Sequence, residues 1–173
     1  MDFSKFKTSD WLIVAGGIGM FIFGTFFDWI KVSFAGFSAS AGNAFDFFFT
    51  GTVPWILLIG AAVVTVLLVL DVIKAGSLPW SLILLAATVL AALLLLIRVL
   101  FNPGVDGADR AIGMWLSLIS GIVAAVGGVL GYQASGGDLK DLTDMNKLKG
   151  AFDGGSNASD DMPPPPPPPA GDA

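Results

Sequence analysis

The sequence lacks three of the side chains on which most enzyme and metal sites depend. It contains no cysteine and no histidine, and all 14 of its acidic residues are aspartate, so glutamate is absent as well. Without cysteine there is no disulfide framework and no thiolate ligand or nucleophile. Without histidine, the side chain best suited to proton transfer near neutral pH is missing. We therefore expect a protein that is not an enzyme and that has no catalytic, cofactor-binding or metal site.

Charge is also scarce. Charged residues make up 13% of the 173 residues and apolar residues 54%, whereas a soluble domain carries about 25% charged residues. The net charge is −5, and much of the negative charge lies after residue 137. A nucleic-acid-binding protein needs a basic face, which this chain lacks, so nucleic acid is not an expected partner. The composition instead indicates a lipid bilayer as the surroundings of the chain.

Four apolar stretches are long enough to cross a membrane, at residues 11–30, 53–73, 78–101 and 111–132. About 20 apolar residues in a helix span the ~30 Å of hydrocarbon. Every Trp and the single Tyr lie near the end of a stretch, where amphipathic rings meet the membrane surface. Pro54 and Pro79 open the second and third stretches, as proline does at the first helical position. The sequence predicts an all-α membrane protein with a four-transmembrane-helix bundle.

The distribution of lysine and arginine predicts the orientation of the bundle, because positive flanking residues favour the cytoplasm. If residues 1–10 are cytoplasmic, the inner side holds six cations, Lys5, Lys7, Lys74, Lys140, Lys147 and Lys149. The outer side holds three, Lys31, Arg98 and Arg110. We therefore expect a multi-pass protein of the plasma membrane with both termini cytoplasmic. A cleaved signal peptide ending near Ala41 is disfavoured, because the apolar run before it has full spanning length.

Three ionisable residues fall within the four stretches. Asp28 and Arg98 lie near the outer ends of the first and third, so they are candidates for an ion pair inside the membrane zone. Asp71 lies near the inner end of the second, within reach of Lys74. We favour side chains that reach water at the interface. The alternative is an ion or proton pathway.

Small residues recur at helical spacing in the fourth stretch, at Gly113, Ser117, Gly121 and Ala125. Such a row lets two helices approach closely in lipid. We favour packing against the first helix of the same chain. A homo-oligomer that uses this row is the alternative.

The outer loop, residues 31–52, is rich in phenylalanine. Residues 32–34 and 37–40 alternate as short strands do, with Gly36 at the turn. Asn43, with Asp46 three residues later, is typical of a capped helix start. A short helix through the following phenylalanines is expected. This aromatic loop either covers the outer end of the bundle or contacts a partner or lipid.

Residues 133–173 form the expected cytoplasmic tail. Residues 138–152 have apolar positions along one side and three lysines, which is typical of a short helix on the inner leaflet. From Gly150 onward, the composition predicts disorder. A run of seven prolines would form a polyproline helix about 22 Å long at ~3.1 Å per residue. It is either a ligand for a cytoplasmic polyproline-binding partner or a stiff terminus without one, and it comprises Pro163, Pro164, Pro165, Pro166, Pro167, Pro168 and Pro169.

The first half of the chain resembles a group of small four-helix integral membrane proteins of actinobacteria. The residues that carry the resemblance are Phe27-Asp28-Trp29 at the end of the first stretch and Asn43-Ala44-Phe45-Asp46-Phe47 before the second. The group has proline before the tryptophan, where this chain has Asp28. The resemblance implies a bacterial plasma membrane and four spans. The group has no known function, so it implies no activity and no site residues.

These patterns lead to two functional hypotheses. The first is a non-enzymatic scaffold or regulatory interaction protein that acts through its bundle and its proline tail. The alternative is a subunit of a small oligomeric transporter or channel that uses Asp28, Asp71 or Arg98.

Overall fold

A computed structural model describes residues 5–34, 37–73, 78–101 and 108–152. Three predicted features lie outside these residues: the turn at Gly36, the Asp71–Lys74 contact, and the disordered tail with its seven prolines. The statements that follow concern the described residues alone.

Four long helices form the body of the molecule: α1 (Thr8–Phe26), α2 (Val53–Val69), α3 (Trp80–Phe101) and α4 (Ile112–Ala134). A π-helical turn, Phe48–Thr52, runs directly into α2. All four helical stretches are long and apolar enough to cross a membrane. The prediction of four spanning-length helices is therefore confirmed.

The second helix is shorter than predicted at its C-terminal end. It ends at Val69 rather than near Ile73 because Asp71 adopts a left-handed conformation, with φ 56°. The N–H of Val72 donates to the carbonyl of Leu67 at 2.9 Å, and that of Asp71 donates to Leu68 at 3.2 Å. This is the hydrogen-bond pattern of a Schellman motif, in which glycine usually occupies the left-handed position.

The main helix contacts are those of α1 and α3, each of which packs on both α2 and α4. Helices α1 and α4 are antiparallel, and their backbones are in direct contact. A Cβ on Gly16 would lie 2.6 Å from the carbonyl oxygen of Ser120, and one on Gly127 would lie 2.8 Å from that of Ser9. Glycine at these positions is what permits the approach, which stabilises helix pairs in lipid through van der Waals contact.

A three-stranded antiparallel sheet lies at one end of the bundle. Its strands are β1 (Ile30–Phe34), β2 (Phe37–Gly42) and β3 (Ala108–Arg110), in the order β2-β1-β3. The two strands predicted in the outer loop are confirmed, and β3 was not predicted. We call the sheet, together with residues 43–52, the cap. The end of the bundle beneath it is the cap end, and the opposite end, where α1 begins, is the basal end.

The segment after α4 forms a separate compact unit, which begins at Leu139. It contains a 3₁₀ helix (Leu139–Thr143) and the short helix α5 (Met145–Phe152). The carboxylate of Asp144 accepts a hydrogen bond from the N–H of Asn146 at 3.0 Å, which satisfies a free donor at the start of α5.

Candidate functional site

Trp29 lies directly before β1, where the cap joins the helices. Its side chain is fully buried, and its indole N–H donates to the carbonyl of Phe23 at 3.3 Å. Its backbone N–H donates to Gly42 at the end of β2, while its carbonyl accepts from Ala111 at the start of α4. Trp29 was expected at the membrane surface with the other tryptophans. Instead its side chain lies in the core, because backbone hydrogen bonds join Trp29 to the end of β2 on one side and to the start of α4 on the other.

The Asn43 motif forms the turn that leads from the sheet into α2. The side chain of Asn43 accepts from the N–H of Phe45 at 2.9 Å, and the carboxylate of Asp46 accepts from the N–H of Asn43 at 2.7 Å. The predicted capped helix start is confirmed, as a 3₁₀ helix over Ala44–Asp46. The turn buries Ala44 against Gly51, where a Cβ would overlap the carbonyl of Ala44.

This turn places an aromatic ring on a buried cation. Arg98 belongs to the last turn of α3 and is 1% exposed. Its guanidinium carbon lies 3.5 Å from the centroid of the half-buried Phe47 ring. A cation over the face of an aromatic ring is attracted to it, and burial strengthens the attraction. A positive charge at a helix C-terminus also interacts favourably with the helix dipole.

Asp28 lies in the same end of the bundle. Its carboxylate accepts a hydrogen bond from the hydroxyl of Ser40 on β2. Its carbonyl accepts from the N–H of Gly113 on α4 at 3.1 Å. The structure thus gives Asp28 and Arg98 these other neighbours, and an ion pair between the two stays a prediction.

Asp71, the third ionisable residue of the predicted spans, is at the basal end. It forms a salt bridge with Lys5, with 2.9 Å between the ammonium nitrogen and the carboxylate oxygen. Both side chains are exposed, so the bridge contributes little to stability, about 0–1 kcal/mol. It links the segment before α1 to the segment after α2.

The small residues of α4 face two different helices. Gly113 packs against Phe27 at the end of α1, whereas Gly121 packs against Leu95 of α3. Ser117, between them, is fully buried, and Ala125 is half-buried. This row therefore makes contacts within the chain, and its use in a homo-oligomer stays untested.

The cap also presents apolar surface. Phe37, at the start of β2, is 82% exposed, and Phe49 in the π-helical turn is 74% exposed. β2 is a six-residue edge strand without a charged residue, whereas β3 at the other edge has three residues and two charges. Charged residues and short length are common protections of edge strands. The β2 edge has neither.

No protein-family model, curated protein or solved structure matches the chain. The resemblance to actinobacterial membrane proteins therefore stays a prediction. Three contacts were missed from the sequence: the Phe47–Arg98 stacking, the pairing of β3 with β1, and the Lys5–Asp71 bridge. Only the second carried a signal, since Asp109 offers the charge opposite to Lys31, its partner in the register.

Proposed function

We propose that this protein is a multi-pass protein of the plasma membrane that acts as a non-enzymatic scaffold. The observation that carries the proposal is the division of the chain into a helical body, Met1–Asp138, and a separate C-terminal unit, Leu139–Ala173. Four apolar helices suit the body to anchoring in a bilayer. The C-terminal unit ends in seven consecutive prolines and four further residues, which suits it to binding by an aromatic-lined groove.

The orientation of the scaffold follows from charge. Four antiparallel helices bring residues 5–7, the end of α2 and the end of α4 to the basal end. This end therefore carries Lys5 and Lys7 and leads into a tail with three more lysines, Lys140, Lys147 and Lys149. A surplus of positive residues in short flanks favours the cytoplasmic side. We therefore place the basal end and both termini in the cytoplasm and the cap outside.

The interior of the body favours an anchor over the alternative of a transporter or channel subunit. The buried residues between the described helices are mostly apolar. The hydroxyls of Thr65, Thr88 and Ser120 donate to carbonyls of their own helices, so their protons are already used in hydrogen bonds within those helices. A conduit needs polar groups or water along its length.

The test is crosslinking in native membranes followed by mass spectrometry. It compares the full chain with a chain truncated after Gly155 and with a full-length variant in which alanines replace the prolines at positions 163–169. A matched control keeps the prolines and replaces residues 156–162 by a Gly/Ser sequence of equal length. We expect one or more cytoplasmic partners of the full chain and of the control to be lost from the other two.

The same partners in all four proteins would overturn the tail part of the proposal. The scaffold would then act through its helices or its cap. Ion or solute flux in liposomes that is reduced by Asp28→Asn would overturn the scaffold in favour of the transporter or channel subunit.

A further inference from the structure

A cavity of about 270 Å³ opens at the basal end of the bundle, between the start of α1 and the ends of α2 and α4. Five of the residues that line it are polar, and they are Lys5, Lys7, Ser9, Asp10 and Ser135. These residues bring two ammonium groups, one carboxylate and two hydroxyls to the lining, and the hydroxyl of Ser135 donates to the carbonyl of Tyr132 at 2.7 Å.

The rest of the lining is apolar. It consists of Leu68 and Val69 from the end of α2 and Gly131 and Ala134 from the end of α4. This division distinguishes the cavity from the groove between α1 and α2, which is lined by residues such as Val14, Phe21 and Val63 and by no charged residue. The basal cavity suits a ligand that is itself half polar and half apolar.

Of the two lysines that line the cavity, Lys7 is the one available to a ligand. The carboxylate of Asp10 accepts from the backbone N–H of Lys7 at 2.9 Å and from the hydroxyl of Ser9 at 3.4 Å. The ammonium of Lys5 is held by Asp71. The side chain of Lys7 is exposed and forms no salt bridge with another residue of the described segments. Its ammonium group is therefore available to bind an anion.

We propose that this cavity binds the headgroup of an anionic phospholipid. The phosphate lies against the ammonium of Lys7, and the first methylenes of the acyl chains lie on Leu68 and Val69. A lysine near the membrane surface attracts an anionic headgroup and contributes about 1 kcal/mol. A free phosphate would leave the apolar wall uncovered, which is why the lipid is the better ligand. This inference rests on the membrane placement proposed above.

A substitution at Gly131 provides a way to fill the cavity. A Cβ on Gly131 would meet Ser9 at 3.6 Å, which is ordinary van der Waals contact, so this position of the lining accepts the first atom of a side chain. Gly60 on α2 provides the matched control, because a Cβ there would meet nothing within 4 Å.

The experiment measures thermal unfolding of the full-length protein in a mild non-ionic detergent by tryptophan fluorescence. Phosphatidylglycerol, phosphatidylcholine with the same acyl chains, and inorganic phosphate are each titrated. A ligand that binds only the folded state raises the unfolding temperature. We expect phosphatidylglycerol to stabilise the protein more than the other two. Lys7→Gln should weaken its apparent affinity about fivefold, and Gly131→Leu should abolish the preference, whereas Lys149→Gln and Gly60→Leu should leave it unchanged.

Three results would overturn the proposal. The first is equal stabilisation by both phospholipids, and the second is an effect of Lys149→Gln as large as that of Lys7→Gln. The third is full stabilisation by inorganic phosphate, which would make the cavity a site for free phosphate. Extraction of cell membranes with alkaline carbonate tests the membrane placement independently of the lipid site. A protein that stays in the membrane but shows no lipid preference loses this site alone.

Discussion

Arg98 is a charged side chain that is buried, and burial is costly for a charge. A guanidinium at the end of a spanning helix would ordinarily extend toward water along its flexible stem. Here it is covered by the ring of Phe47, which the Asn43 capping turn holds in place. The contact joins the turn before α2 to the last turn of α3, so a single pair of side chains couples two helices that are connected through the basal end.

This contact predicts a measurable coupling between the two side chains. Phe47→Leu keeps an apolar side chain but removes the ring, and Arg98→Met keeps length but removes the charge. A double-mutant cycle on unfolding in mild detergent should give a coupling free energy of about 1–2 kcal/mol, because the buried cation and ring attract one another. Additive effects of the two substitutions would mean that Phe47 contributes packing alone.

Among the secondary-structure elements, the pairing of β1 with β3 in the cap determines which side chains lie opposite each other. In the β1–β3 register, Lys31 lies opposite Asp109 and Val32 lies opposite Ala108. Opposite charges at paired positions stabilise an antiparallel ladder by about 0.2–1 kcal/mol. The same ladder connects the end of α1 to the start of α4, so these two helices are joined by the sheet as well as by their glycine contacts.

The register can be tested with the engineered cysteines that a cysteine-free chain allows. Lys31→Cys combined with Asp109→Cys should form a disulfide on mild oxidation, since paired residues place their side chains on one face at bonding distance. Lys31→Cys combined with Ala108→Cys is one residue out of register, and its side chains point to opposite faces. Protection from a maleimide-linked polymer reports the bond. A disulfide in the second pair and not in the first would show that β3 pairs in a different register.

The elements that could be predicted from the sequence are those specified by local pattern. Four apolar runs predicted the four helices, alternation predicted β1 and β2, and Asn43 with Asp46 predicted the capped turn. β3 could not be predicted, because three residues carry no periodicity and their pairing depends on a distant strand. The end of α2 was misplaced for a related reason: an apolar run does not reveal that Asp71 will adopt a left-handed conformation.

The candidate site was predicted less completely than the fold. Arg98 lies in α3 as predicted, whereas Asp28 lies beyond the end of α1 at Phe26, and the neighbours of both depend on how the cap folds over the bundle. The small residues of α4 were found by spacing alone. Spacing could not show that Gly121 faces α3 whereas Gly113 faces the end of α1. Contacts between distant segments require the three-dimensional arrangement.

For the whole molecule, the proposed orientation predicts which surfaces a reagent outside the cell can reach. Single cysteines at Ser38 on β2 and at Ser135 after α4 are both exposed. In intact cells, a membrane-impermeant maleimide should label Ser38→Cys and should label Ser135→Cys only after permeabilisation. The reverse pattern would invert the topology and place the tail outside. Labelling of both in intact cells would contradict a bundle with an even number of crossings.

The sheet that joins the first and last helices has a consequence for biogenesis. While the chain is being synthesised, β1 has only β2 as a neighbour, and its second edge stays open until β3, which follows α3 in the chain, has been made. An open edge is a template for wrong pairing. Closure of β1 by β3 thus requires a chain that extends past α3 and does not require α4. A chain stalled or cleaved before that point displays an unfinished edge, the kind of feature by which cellular quality control can separate incomplete molecules from finished ones.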